Sequence, residues 1–459
     1  MFCSNSYDVA IIGGGVVGCA LARRFSLQGA QVILLEKGRD ILVGASKGNS
    51  GLLHTGFDAP SGSLELKCVQ AGYREYMEIR EELALPVLRT DAVMVAWTEA
   101  DEAKLVGIAQ KGRENGVDVA PLTATEVLEH EPHLDHSLRA GLLVRGEHVV
   151  DPWSAPLAYV RQAIGLGAHV VFNAEVTGGS FDGTWTLSTK QGEVRANAVV
   201  NAAGLFGDQV ERLLLGESSF MIKPRKGQFV VFDKAAARYL RGIVLPVPSE
   251  RTKGVVLAPT IFGNVLIGPT AEEQDERDRA TVTQDALETL IDRAVAMLPP
   301  LKDMPVTATY AGLRPASERS EYRVSCRPAD KWITIGGIRS TGLTSALGLA
   351  QHAYELYQTF GPAHTPPAHS CAPKMLNLAE HAPRDWALAG GEIVCHCELV
   401  TRREIELALA SNPAPNDLTG LKRRTRVTMG RCQGFYCMGR LAELTEGRLE
   451  NTVSIGAVK

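Results

Sequence analysis

The N-terminal segment YDVAIIGGGVVGCALARRFSLQGAQVILLEKG most constrains how this chain can fold. It places an apolar strand, a triple-glycine turn, a helix, a second apolar strand and an acid in that order, which is the G-x-G-x-x-G pattern of a βαβ unit. Gly13 and Gly15 let the backbone approach a pyrophosphate, Gly18 lies where helix and strand must touch, and the helix N-terminus offers free N–H groups. Glu36 is placed to accept hydrogen bonds from ribose hydroxyls. The pattern predicts a Rossmann-like α/β domain that binds a dinucleotide.

The size and charge of the chain bound the remaining possibilities. Its 459 residues are enough for two or three domains, and a composition of 45% hydrophobic and 22% charged residues is typical of soluble globular proteins. The formal net charge of -4 gives no overall basic field, so we expect no nucleic-acid partner. We see neither a signal-peptide pattern nor an apolar run long enough to span a membrane. We therefore expect a reduced, cytoplasmic compartment and no intrinsic membrane segment.

Four of the nine cysteines lie near the C-terminus as two close pairs. Cys395 and Cys397 form a C-x-C motif, whereas four residues separate Cys432 from Cys437. In a reducing compartment, clustered cysteines bind metal or act in redox chemistry more often than they form structural disulfides. Four thiolates hold either a [2Fe–2S] cluster or a structural zinc ion. Zinc sites more often use C-x₂₋₄-C pairs, so the C-x-C pair favours the cluster, with zinc as the alternative.

A basic run precedes the second cysteine pair and consists of Lys422, Arg423, Arg424 and Arg426. Positive charge at this place would offset the anionic, thiolate-bound cluster and raise its reduction potential. The alternative is an ordinary solvated basic loop.

Three further segments carry a resemblance to a known family. They are GASKGNSGLLHTGF after the βαβ unit, VVNAAGLFGDQV at 199–210 and KWITIGGIRSTGLTSALGLAQHA at 331–353. In this order they resemble the FAD-dependent amine and hydroxy-acid oxidoreductases of the D-amino-acid oxidase fold. The resemblance implies FAD as the cofactor and an antiparallel-sheet (α+β) substrate cap over the Rossmann-like domain. The further cofactor-binding residues that it implies are Lys37, Ser46, Asn49, Ser50, Gly51, Val176, Ala203, Gly204, Gly337, Arg339, Thr341, Gly342 and Leu343.

The same resemblance implies how the chain is divided. Residues 1–360 form the oxidoreductase domain, 361–390 form a Pro-, Ala- and His-rich linker, and 391–459 form a small iron–sulfur domain. Within the first domain, the cofactor-binding part is discontinuous, and the runs between its pieces build the cap. The cofactor-binding pieces are 7–85, 145–215 and 310–360, and the cap pieces are 86–144 and 216–309.

Finer matches point to one branch of that family. PVPSERTKGVVLAPTIFGNVLIGPTA and YAGLRPASE resemble L-2-hydroxyglutarate and glycerol-3-phosphate dehydrogenases. IVCHCELVTRREIELAL and LKRRTRVTMGRCQGFYCMGRLAEL resemble the [2Fe–2S] domain, of bacterioferritin-associated-ferredoxin type, in the flavin-bearing chains of anaerobic glycerol-3-phosphate dehydrogenases. One position departs from this branch. Ile338 stands where the glycerol-3-phosphate enzymes carry a lysine. At this position the chain is closer to the broader group of hydroxy-acid and amine enzymes.

The catalytic residues follow from the chemistry that a flavin requires. The protein must take a proton from a substrate hydroxyl or amine, and His54 in the ring-facing stretch is our candidate base; the alternative is a histidine that only binds cofactor or backbone. Arg314 is our candidate for binding a carboxylate or phosphate, its alternative being a buried structural salt bridge. Lys226 and Lys253 are weaker anion candidates that we expect at the surface. Arg339 could place charge near the N1–O2 edge of the flavin.

The sequence therefore predicts an FAD-dependent dehydrogenase. We expect it to oxidise a small anionic alcohol, such as glycerol 3-phosphate, a related polyol phosphate or a 2-hydroxy acid, and to send electrons through a [2Fe–2S] cluster. The acceptor would be a partner protein of the same complex or a quinone-linked protein, which could hold the chain at the inner face of the membrane. Two alternatives stay open: an amine or imino-acid (opine- or hydroxyproline-type) dehydrogenase, and a non-catalytic electron-transfer or assembly subunit.

Overall fold

The computed structural model describes residues 6–248, 254–369 and 371–450. Within these ranges the strands are β1 Tyr7–Ile12, β2 Val32–Leu35, β3 Leu52–Leu53, β4 Val87–Leu88, β5 Ala92–Ala96, β6 Val119–Thr123, β7 Ala140–Val144, β8 His148–Val150, β9 His169–Val171, β10 Val176–Phe181, β11 Trp185–Thr189, β12 Gly192–Asn201, β13 Arg225–Phe232, β14 Ile243–Pro246, β15 Val256–Pro259, β16 Val265–Gly268, β17 Glu272–Glu273, β18 Val306–Arg314, β19 Arg323–Arg327, β20 Trp332–Gly336, β21 Ile393–Cys395 and β22 Val400–Thr401. The helices are α1 Val16–Leu27, α2 Leu64–Ile79, α3 Glu99–Glu114, α4 Ala124–His130, α5 Ser154–Gly165, α6 Gly207–Leu215, α7 Gln284–Met297, α8 Gly342–Tyr357, α9 Asp385–Ala389, α10 Arg402–Leu409, α11 Leu418–Thr425 and α12 Met438–Thr445.

A mainly parallel sheet forms the centre of the part predicted to bind FAD, which we call the flavin domain. Its strand order is β10-β11-β12-β1-β2-β9, and β20 extends it by pairing with β12. The two strands of the predicted βαβ unit are parallel neighbours, with Val9 opposite Val32 and Ile12 opposite Leu35. Helices α1, α5, α2 and α8 pack together beside this sheet, so its apolar strands are buried.

Two glycines make the turn after β1 possible. Gly13 has φ +108°, a left-handed backbone that side chains disfavour, and a Cβ there would lie 2.5 Å from the Ala202 carbonyl oxygen. A Cβ on Gly18 would lie 1.8 Å from the Gly13 carbonyl oxygen, so only glycine lets α1 approach the turn this closely. The N-terminus of α1 therefore opens at the carboxyl end of β1, where a pyrophosphate is bound in such folds.

The cap is a second, largely antiparallel sheet with the order β17-β13-β16-β15-β14-β5-β7-β6, and β18 pairs with β13. The β13–β18 ladder is the longest in this sheet and places Arg225 directly opposite Arg314. Apolar side chains from β5, β14, β15 and β16 pack against α7 on one face. The mixed α/β architecture with an antiparallel substrate sheet, as predicted, is confirmed by the structure.

The C-terminal unit is a small separate core. The hairpin β21–β22 and helices α10, α11 and α12 enclose buried apolar residues that include Val400, Ile405 and Leu441. The chain reaches it through residues 361–384, which form no helix or strand where the structure describes them. This segment lies along the larger domain, because the Met375 and Glu380 N–H groups donate to the Leu83 and Ile261 carbonyls.

Buried ion pairs hold the C-terminal unit on the flavin domain. Asp40, which is fully buried after β2, accepts hydrogen bonds from both Nη atoms of Arg424 at 2.6 and 2.9 Å and from Arg423 Nη2 at 3.2 Å. Within the C-terminal unit itself, Arg426 Nε donates to Glu398 at 2.8 Å. Three members of the predicted basic run are therefore buried and paired. The solvated-loop alternative is wrong, because these three guanidinium groups are buried against carboxylates. Their effect on the reduction potential of the cluster stays a prediction.

No helix in the described part of the chain is both long enough and apolar enough to cross a membrane.

Candidate active site and cluster site

A cavity of about 620 Å³ lies between the flavin domain and the cap. It begins at the N-terminus of α1 and passes the loop before β3 toward the facing ends of β13 and β18. Its size and its position at the carboxyl ends of parallel strands suit a dinucleotide with its substrate. The predicted residues that line it are Gly15, Ser46, Asn49, Ser50, His54, Gly204, Arg314, Gly337, Arg339, Thr341, Gly342 and Leu343.

Glu36 lies at the end of β2 beside the glycine turn. Its two carboxylate oxygens accept hydrogen bonds from the Gly14 N–H at 2.6 Å and the Gly38 N–H at 2.7 Å. Burial raises the pKa of Glu36, and the two backbone donors oppose that shift. Each oxygen keeps a further lone pair, so the position suits an acceptor for ribose hydroxyls.

Six other predicted cofactor residues do not line the cavity. Gly13 and Gly18 shape the turn, as described above. Lys37 turns away, since its ammonium lies 3.3 Å above the Phe206 ring and 3.3 Å from Asp278. Gly51, Val176 and Ala203 lie at the edges of the neighbouring strands, and their role in cofactor binding stays a prediction.

The N-terminus of α8 points a positive partial charge into the cavity. Thr341 precedes this helix and is held there by two side chains: its Oγ1 lies 2.5 Å from the Tyr322 hydroxyl and donates to Glu65 at 2.9 Å. Burial raises the pKa of Tyr322, so this hydroxyl stays protonated. Arg339 lies in the preceding turn and lines the same end of the cavity. This end is therefore suited to negative charge on a reduced flavin.

His54 is anchored by a carboxylate that the sequence did not lead us to expect. Its Nδ1 lies 2.9 Å from Glu147 Oε2, and the other oxygen of Glu147 accepts hydrogen bonds from the Thr55 N–H and hydroxyl. Glu147 is fully buried, whereas the His54 side chain lines the cavity. The carboxylate fixes the proton on Nδ1, so Nε2 is the basic nitrogen. In the sequence, Glu147 is a single acid immediately before β8, and nothing else there indicates that it pairs with His54.

Arg314 lies at the far end of β18 with its guanidinium in the cavity. Nη2 donates to the Thr270 carbonyl at 3.1 Å, Nη1 has no hydrogen-bond partner, and no carboxylate pairs with it among the described residues. The structural salt bridge that we considered is therefore not observed. Burial, together with the charges of Arg225 and Arg339, lowers the pKa of Arg314 to about 10. Gly227 makes room for it, because a Cβ there would lie 2.7 Å from Nη2.

Arg225 is a further cation that lines the cavity, and sequence analysis missed it. It lies directly across the strand pair from Arg314, so both side chains extend from the same face of the sheet. Like charges in this arrangement repel each other. Glu273 lies 3.2 Å from Arg225 and forms an ion pair with it, but it does not pair with Arg314.

Lys226 is buried and paired with Glu272 at 3.0 Å, which corrects our expectation of a surface residue. Lys253 lies outside the described residues.

The four predicted cluster ligands come together as two thiol pairs. Cys395 interacts with Cys437, and Cys397 interacts with Cys432. Among the described residues, no three His, Cys, Asp or Glu side chains converge as a ligand set for a single metal ion. Two pairs fit a cluster with two irons, each of which takes two thiolates.

The comparisons with known proteins agree with this geometry. Residues 8–356 match the family model "FAD dependent oxidoreductase", and residues 393–446 match "BFD-like [2Fe-2S] binding domain". A glycerol 3-phosphate dehydrogenase of Caloramator mitchellensis is 30% identical over 95% of this chain and 93% of its own length. One component of the anaerobic glycerol-3-phosphate dehydrogenase of Escherichia coli, its A chain, is 26% identical over 99% of this chain and 91% of its own. The FAD-bound L-α-glycerophosphate oxidase structure from Mycoplasma pneumoniae superposes with a TM-score of 0.76, with 27% identity over 81% of this chain and 99% of its own.

Fold, cavity and family match together show that the chain belongs to the FAD-dependent oxidoreductases of the D-amino-acid oxidase fold. It is an FAD-dependent dehydrogenase with a C-terminal [2Fe–2S] domain. The predictions of FAD and of a [2Fe–2S] cluster are confirmed, and the zinc alternative is wrong.

Proposed function

We propose that this dehydrogenase oxidises glycerol 3-phosphate or a closely related polyol phosphate or 2-hydroxy acid. The observation that carries the proposal is the joint presence in one cavity of a carboxylate-anchored histidine and two opposed arginines. The His54–Glu147 pair suits removal of a hydroxyl proton, and the two arginines suit binding of an anionic group on the same small molecule. The relatives named above that act on glycerol 3-phosphate support this choice of substrate.

The residues divide the work in the following way. Arg314, with an unpartnered Nη1, binds the anionic group, and Arg225 lies within reach of the same group. His54 Nε2 removes the hydroxyl proton, while Glu147 keeps the imidazole oriented and stabilises the imidazolium that forms. FAD, when bound, supplies the hydride acceptor. The α8 N-terminus and Arg339 place positive charge at the end of the cavity where reduced flavin would be anionic.

We further propose that the electrons leave through the [2Fe–2S] domain to a partner protein. The buried contacts of Asp40 with Arg423 and Arg424 support this, because they fix the cluster domain on the flavin domain. The Escherichia coli relative, which is one component of a larger dehydrogenase, supports an assembly with other proteins. A partner of this kind would account for a cytoplasmic enzyme that associates with the inner face of the membrane.

An amine or imino-acid dehydrogenase is the second candidate. It is favoured by one position: Ile338 is apolar and lines the cavity, where the glycerol-3-phosphate branch carries a lysine. A non-catalytic subunit is the third candidate, and the ordered His54–Glu147 pair opposes it.

The test is an anaerobic substrate screen with purified holoenzyme. Glycerol 3-phosphate, L-2-hydroxyglutarate and proline are mixed separately with the protein, and the absorbance of oxidised flavin and the EPR signal of the reduced cluster are followed together. We expect glycerol 3-phosphate to bleach the flavin fastest, and the cluster signal to follow. Reduction by proline alone would replace our substrate with an imino acid. If none of the three reduced the flavin, the non-catalytic hypothesis would be favoured.

A further inference from the structure

A second cavity, of about 160 Å³, lies where three parts of the chain meet. Helix α5 of the flavin domain, residues 374–376 of the linker, and helices α10 and α11 of the cluster domain all contribute to its wall. Among the described residues, no Asp or Glu lines it. Four of its lining residues are cationic: Arg161, Lys374, Arg423 and Arg424.

The positive charge at this junction is not fully compensated. Arg423 and Arg424 share the single carboxylate of Asp40. Arg161 contacts the Met375 sulfur, at 3.8 Å, and pairs with no carboxylate among the residues that the structure describes. Burial, followed by the nearby charge of Arg424, lowers the pKa of Arg161. An additional negative charge would compensate the excess positive charge and stabilise the charged form of Arg161.

The cavity has room for a small anion. Its volume equals that of about five water molecules at about 30 Å³ each, which is enough for one tetrahedral oxyanion with some of its water. Guanidinium and ammonium groups from different directions are the donors that such anions prefer in proteins. A half-buried cation without a carboxylate partner costs free energy, and a bound anion lowers that cost.

We propose that this cavity binds a phosphate-sized inorganic oxyanion, which bridges Arg161 and Lys374 to Arg424 and so holds the cluster domain on the flavin domain. The site is separate from the flavin cavity, with which it shares no lining residue in the described part of the chain. The proposal therefore does not depend on which substrate the enzyme oxidises. It makes the attachment of the cluster domain dependent on the concentration of phosphate.

The experiment measures amide hydrogen exchange of residues 371–390 and of α11 in the holoenzyme while inorganic phosphate is titrated at constant ionic strength. Exchange at such an interface follows the population of the undocked state. Phosphate at about ten times its dissociation constant should slow exchange there about tenfold. In Arg161→Gln and Lys374→Gln, phosphate should slow it less than about twofold. The matched control, Arg293→Gln on the exposed surface of α7, should respond like the wild type.

Two results would overturn the proposal. In one, phosphate does not change interface exchange in the wild type. In the other, it slows exchange equally in the wild type, Arg161→Gln and Lys374→Gln, which would place its effect elsewhere. Lys374 is exposed, so its variant keeps the test valid if Arg161→Gln folds poorly. Because flavin reduction is not measured, a failed substrate assignment cannot be mistaken for either result.

Discussion

At the scale of single residues, His54 and Glu147 act as one unit. His54→Gln should slow anaerobic flavin reduction about 10²–10⁴-fold, because the hydroxyl proton then has no base in reach. Glu147→Gln should slow it less, since the base is retained and only its orientation and charge support are lost. Stopped-flow measurement of flavin bleaching checks both, with Arg293→Gln as the control. Unchanged rates in His54→Gln would remove it from the mechanism.

The opposed arginines lead to a second prediction at this scale. Arg225→Gln should raise the KM for glycerol 3-phosphate about tenfold or more, which corresponds to about 1.4 kcal/mol, while kcat changes little. The variant without substrate should unfold at an equal or higher temperature, because a like-charge pair across the strands is gone. Steady-state kinetics and thermal denaturation check both parts. A lower unfolding temperature with an unchanged KM would show that Arg225 is structural.

At the scale of secondary-structure elements, Glu131 joins the end of α4 to the start of β14. Its carboxylate accepts hydrogen bonds from the Arg241 N–H at 3.0 Å and the Gly242 N–H at 2.5 Å. Burial raises the pKa of Glu131 to about 7. A carboxyl with a raised pKa binds its proton more tightly in the folded state, so the stability that it contributes is lost as the pH rises from about 4.5 through 7.

Glu131→Gln should remove this pH dependence. The stability of the variant relative to the wild type should increase between about pH 5 and 7, by at most about 1.4 kcal/mol per pH unit. Denaturant unfolding at several pH values measures the difference. A constant difference across this range would mean that Glu131 does not titrate there.

The elements also show what sequence reasoning could and could not reach. The βαβ unit was predictable because the glycine spacing, apolar strands and terminal acid are all local in sequence. The pairing of His54 with Glu147 was not, because the two residues are 93 positions apart and a lone acid has no pattern. Arg225 was missed for the same reason, because its position opposite Arg314 depends on the register of β13 against β18. The contact of Lys37 with Asp278 was not predictable either, because the two residues are 241 positions apart, and the role of Lys37 in cofactor binding stays a prediction.

At the scale of the whole molecule, Asp40 is the main buried anchor of the cluster domain. Asp40→Asn should release that domain, because two buried guanidinium groups lose their carboxylate, a loss of about 3–5 kcal/mol for a buried pair. Calorimetry should show a separate, earlier transition for the cluster domain. Solution scattering should show a larger radius of gyration, and a single transition at the wild-type temperature would contradict this role.

The loop after β2 contacts both halves of the molecule within five residues. Glu36 accepts a hydrogen bond from the Gly14 N–H in the glycine turn, which is predicted to bind the pyrophosphate of FAD, and Asp40 accepts hydrogen bonds from the arginines of the cluster domain. The Leu42 N–H, donated to the Gly14 carbonyl, closes the same loop. Maturation of the enzyme should therefore be ordered. We expect chains that have not yet acquired FAD to hold this loop less firmly and to dock the iron–sulfur domain less tightly, so that FAD supply would control assembly of the electron-transfer path.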